Sequence, residues 1–136
     1  MTPLNALYEV QLPVTVPVRT ALAHLISAVD DVQNTARSAG YGYIRDGAAK
    51  LWDELYRMDV DLASMTSRSP ATSWHRHCAL NLLIILERGL RADDFRTSAI
   101  DVARLSSGEY PADITADALL QKVLRAIVCG DKVVTL

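Results

Sequence analysis

Two consecutive segments with the same apolar spacing constrain this chain more than any other feature. Val18, Leu22, Leu25, Val29, Val32 and Ala36 recur at alternating steps of four and three. After Gly40, Ile44, Ala48, Leu51, Leu55, Met58, Leu62 and Met65 do the same. Steps of four and three keep side chains on one side of a helix of about 3.6 residues per turn, so each segment carries one continuous apolar stripe. Two such stripes joined by a short Tyr41-Gly42-Tyr43 connection predict an antiparallel helical hairpin with the shallow crossing of a bundle.

The rest of the chain divides at similar signals. Pro17 is expected in the first turn of helix one, which would begin at Thr15 or Val16, because a missing N–H is tolerated there. Ser67-Arg68-Ser69-Pro70 breaks the chain, and a third helix is predicted from Ala71 to Arg88. Its middle, Leu80 to Leu86, is apolar nearly all round and predicts the central element of the bundle. A short fourth helix, capped by Asp93 or Asp94, would turn Phe95, Ala99, Val102 and Leu105 inward and end at Gly108. A fifth, with Thr115 as N-cap, carries Leu119, Leu120, Val123, Leu124, Ile127 and Val128 before Gly130. The fold class is therefore all-α: a single-domain bundle of about five helices over 17–130, with an extended arm at each end.

The first arm, 1–16, alternates Tyr8, Val10, Leu12, Val14 and Val16 with other residues, a period of two. Pro13 limits it to an edge strand, since it lacks a backbone donor. The second, 131–136, holds Val133, Val134 and Leu136. The arms can pair with each other or reach into a second subunit. With 136 residues there is limited surface on which to hide both. That favours a homodimer, with docking on the chain's own bundle as the alternative.

Composition removes several function classes. Half the residues are apolar and 22% charged, enough for a real core. A net charge of −2, with both signs interspersed, suits neither a general nucleic-acid binder nor an acidic nucleic-acid mimic. Eleven Arg against three Lys, with twelve Asp against four Glu, is a skew expected of a GC-rich bacterial or phage genome. Cys78 and Cys129 lie in apolar surroundings and are expected as reduced, buried small residues. Met1 to Asn5 shows no leader pattern and no apolar run reaches membrane length, so a cytoplasmic protein with no membrane partner is expected.

Candidate chemistry is sparse. In Trp74-His75-Arg76-His77-Cys78, His75 and Cys78 share a helix face, but two further zinc ligands would have to come from residues such as His24 and Cys129. Neither a metal nor a cofactor is expected. Asp53, Glu54, Asp59 and Asp61 are read as a solvated face around Arg57. No P-loop, nucleophile elbow, dinucleotide fingerprint or EF-hand occurs.

Arg19 and His24 have four intervening residues, and Arg68 and His75 have six. This spacing resembles the Arg/His pair of the higher-eukaryote and prokaryote nucleotide-binding (HEPN) family. The resemblance implies a metal-independent ribonuclease assembled at a dimer interface. There the Arg would hold a phosphate and the His would move a proton. Thr20 and Ser69 follow the two arginines, where that family commonly has Asn, Asp or His.

The stronger pattern is aromatic. Trp52 and Tyr56, four apart, lie beside the core stripe of helix two, with Ala49 and Ala63 continuing the line. Tyr43, Arg45 and Arg57 are close in sequence. Trp, Tyr and Arg dominate protein–protein hot spots. The expected function is a non-enzymatic interaction module (a regulator, adaptor or inhibitor) whose partner is a protein. The alternatives are the ribonuclease and a purely structural subunit. If the flank instead packs inward, it simply widens the core.

Overall fold

The computed structural model describes residues 14–64, 73–88, 95–106 and 110–136. In chain order they form β1 (Thr15–Pro17), α1 (Val18–Ala39), α2 (Gly42–Ser64), α3 (Ser73–Arg88), α4 (Phe95–Val102), α5 (Ala116–Cys129) and β2 (Val133–Thr135). The protein is all-α apart from this two-stranded ribbon. No described helix is long and apolar enough to cross a membrane.

The hairpin forms as its spacing dictates. Val18, Leu22, Leu25, Val29 and Ala36 of α1 are buried, as are Ala48, Leu51, Leu55 and Met58 of α2. Gly40 ends α1 in the left-handed conformation, at φ 80°, where its own N–H and that of Tyr41 return to the last carbonyls of the helix. A side chain at that φ would be strained, so glycine is the residue that makes this stop. The same device recurs at Gly130 after α5. At the other end of α5, the Thr115 hydroxyl accepts a hydrogen bond from the Ala118 N–H at 3.1 Å, the expected N-cap.

The two arms find each other within one chain. Thr15 pairs with Thr135, Val16 with Val134 and Pro17 with Val133, antiparallel, and Leu136 N–H donates to the Val14 carbonyl at 2.8 Å. Val16 and Val134 point into the core, while their neighbours stay exposed. This ribbon also shifts the start of α1. Pro17 is the cap and Val18 the first helical residue, because Thr15–Pro17 is drawn into the ladder and the Val18 N–H donates to the Lys132 carbonyl at 2.9 Å. The reason for a dimer based on unhidden arms therefore falls away. Residues 1–13, with most of the alternating stretch, lie outside the described residues.

α3 is not the central element. Among the described residues, α1 packs against α2, α4, α5 and both strands, while α3 packs chiefly on α5. Ala79, Leu82, Leu83 and Leu86 form the stripe of α3 that is buried, whereas Leu80 is 41% exposed and Ile84 and Ile85 are half-buried. An all-round apolar segment shows that a helix could be covered on every side, not which neighbours are there to cover it.

Other expectations need correction. α4 stops at Val102, which is exposed; its buried residues include Ala99 and Ile100, and Ala103 just beyond the helix is also buried. Cys129 is exposed and Cys78 half-buried, and both are free thiols, so neither is the buried small residue expected. Cys129 follows buried Ile127 by two positions, which turns it about 200° round α5 to the solvent side.

Candidate functional site

α2 has two apolar faces. The first is the core stripe. The second begins at Ala49 and Trp52 and runs through Tyr56 and Val60 to Ala63. Tyr56 is 46% and Val60 45% exposed, and Ala63 is exposed. Trp52 bridges the two faces: it is half-buried against the core cluster, and its outer surface carries the Tyr56 ring. The rings are stacked, with centroids 4.9 Å apart and planes 7° from parallel. Residues four apart on a helix are neighbours, which is why this pair meets. Stacking fixes the Tyr56 ring, a side chain that would otherwise swing in solvent.

The structure divides the five expected surface residues. Arg57 is five positions after Trp52, about 140° round the helix, and Tyr43 is nine positions before it, about 180° round. Arg57 therefore lies on the far side of the exposed arc, paired with Asp53 at 3.3 Å. There it lines a groove of about 550 Å³ with Met58, Cys78, Leu82, Ile85 and Arg96. Arg96 of α4 pairs with Glu54 at its edge. Tyr43 is exposed on the first turn of α2. Arg45 falls on the Trp52 side and pairs with Asp46 at 3.2 Å. The docking face is thus Ala49, Trp52, Tyr56, Val60 and Ala63, with Arg45 in line beyond its N-terminal end and the Asp53/Arg57 pair along one flank.

Val60 was not singled out by sequence, although it continues the step of four from Tyr56. The α2–α3 groove was not legible at all, since it depends on α3 packing against α5. On the α1 side, Asp30, Gln33, Ala49, Lys50 and Asp53 surround an open hollow beside Trp52. The Arg19–Asp59 pair at 3.3 Å fixes the antiparallel register there. That register places Ala23 near the level of Tyr56 and Ser27 near that of Trp52, and both are small and exposed.

Within one chain, Arg19 and His24 do not share a cleft. Arg19 reaches α2, while His24 is half-buried on another side of α1. Its Nδ1 is hydrogen-bonded to the Tyr110 hydroxyl, with the Tyr110 ring edge-on at 5.4 Å. Five positions separate the two residues, so α1 turns them about 140° apart. Arg68 lies outside the described residues, and of His75 only the backbone in α3 is described. Among the described residues no group of three His, Cys, Asp or Glu side chains could hold a metal ion.

Comparison of the chain with protein-family models, curated proteins and solved structures finds no significant match.

Proposed function

We propose that this protein is a non-enzymatic protein–protein interaction module that presents the second apolar face of α2 to a protein partner. One observation carries the reading: a surface helix already satisfied by a full core stripe bears a second apolar line, with two large side chains near half-exposed. Isolated exposed apolar residues are ordinary, but a contiguous rigid line marks a contact surface. Trp52, braced on the core, and Tyr56, stacked on it, are aromatic anchors whose order in the free protein lowers the entropy lost on docking. The flanking charges, Arg45 and the Asp53/Arg57 pair, supply the polar rim that such interfaces carry.

Tyr56→Arg and Val60→Glu test this, because both alter exposed positions and should shift the unfolding midpoint by only a few degrees. Proteins captured from host extract by the wild-type chain, read by mass spectrometry, should be lost with both variants. Unchanged capture by both would refute the reading.

A further inference from the structure

We infer that the occupant of this face is a second copy of the same chain, docked antiparallel across a two-fold axis at Tyr56. This rests on the reading of α2 as a docking surface and names its partner.

The spacing of the line carries the inference. From Ala49 to Trp52, Tyr56, Val60 and Ala63 the steps are three, four, four and three, the same in both directions from Tyr56. A two-fold axis perpendicular to two antiparallel helices superposes such a line on itself. Tyr56 then meets Tyr56 of the partner subunit, Trp52 meets a valine and each terminal alanine meets an alanine. Isologous interfaces demand this self-complementarity. Large residues occupy the centre of the line and alanines its two ends.

The charges on one flank are also self-complementary. Asp53 and Arg57 both lie on the outer side of the line, three residues before and one residue after the level of the axis. At a rise of about 1.5 Å per residue, the partner's arginine comes within about 3 Å along the axis of Asp53, nearer than Arg57 of the same helix at about 6 Å. The two protomers together present the order minus, plus, plus, minus, which is neutral: each acid lies beside a base of the other protomer, and the two arginines, each also paired with the Asp53 of its own helix, adjoin at the axis.

Sedimentation velocity of the intact chain at tens of micromolar should show a dimer. Asp53→Arg and Arg57→Asp should each raise its dissociation constant at least about tenfold, since four like charges then face one another. Mixing the two variants should restore association as a heterodimer with alternating charges. An intrahelical role for the pair would not produce that rescue. In a Cys78→Ala/Cys129→Ala background, Tyr56→Cys should form a disulfide with its own copy. Ala49→Cys should do so only when mixed with Ala63→Cys, because antiparallel packing holds its two copies about 21 Å apart. A chain monomeric at millimolar concentration, no rescue on mixing, or self-linked Ala49→Cys would each overturn the inference. If the chain is monomeric yet captures another protein in a Tyr56-dependent way, self-docking fails and the docking face stands.

Discussion

Leu55→Ala should lower the free energy of unfolding by about 2–5 kcal/mol, while Tyr56→Ala, the next residue, should lower it by about 1 kcal/mol or less. Leu55 is fully buried in the core stripe of α2. Truncating it removes its burial and leaves a cavity that packed neighbours can only partly fill. Tyr56 lies about 100° further round the helix. Its principal loss is the stack on Trp52, and such aromatic pairs contribute about 0.5–1.5 kcal/mol. Chemical denaturation followed by circular dichroism reads both values. Against a total stability of about 5–15 kcal/mol for a domain, the first change is severe and the second is not. Measured at a concentration where the chain is monomeric, a loss of several kcal/mol at Tyr56 would make the aromatic flank part of the core and remove the basis for a docking face.

Val134→Asp should be comparably disruptive, lowering stability by roughly 3–5 kcal/mol, which is the scale for a buried charge without a partner. Val134 is 2% exposed and joins Val16 in closing the bundle beneath the ribbon. Carboxylate burial there would favour opening of the β1–β2 ladder, freeing the C-terminal arm and exposing the N-terminus of α1. Val133→Asp, at an exposed position in the same strand, is the internal control and should cost under about 1 kcal/mol. Equal effects at the two positions would mean that the ribbon contributes no burial. Amide hydrogen exchange adds a local readout: Val18 N–H, bonded to the Lys132 carbonyl, should lose protection in Val134→Asp and keep it in Val133→Asp.

What could be read from sequence follows the range over which each feature is set. The stripes of α1, α2 and α5 and the stops at Gly40 and Gly130 arise from neighbours within four residues, and they appear in the fold as the spacing requires. Alternation near Val14 and Val16 showed an extended arm. Its pairing with Val133–Thr135 is a contact across the whole chain, and this pairing moved the start of α1 past Pro17. The apolar middle of α3 was misleading for the same reason. Which sides of a helix are covered depends on where α2 and α5 lie, and Ile84 and Ile85 came to face a groove.

The candidate site followed the same rule. Trp52 and Tyr56 could be paired from their step of four. Closeness in sequence also suggests Tyr43 and Arg57, but the helix turns Tyr43 to the opposite side and leaves Arg57 on the flank. Val60 is not legible in the sequence by itself, because a single surface valine carries no signal apart from the line of Ala49, Trp52, Tyr56 and Ala63 that it completes.

On this reading Tyr56 marks a surface that meets protein in the cell. A photo-crosslinking phenylalanine analogue placed at position 56 in the native host tests it most directly, with the same probe at exposed Arg104 of the α4–α5 connection as control. Discrete protein adducts should form through position 56, be suppressed when Val60→Glu is added, and be missing from position 104. Absence of adducts at position 56, or identical adducts at both positions, would contradict it.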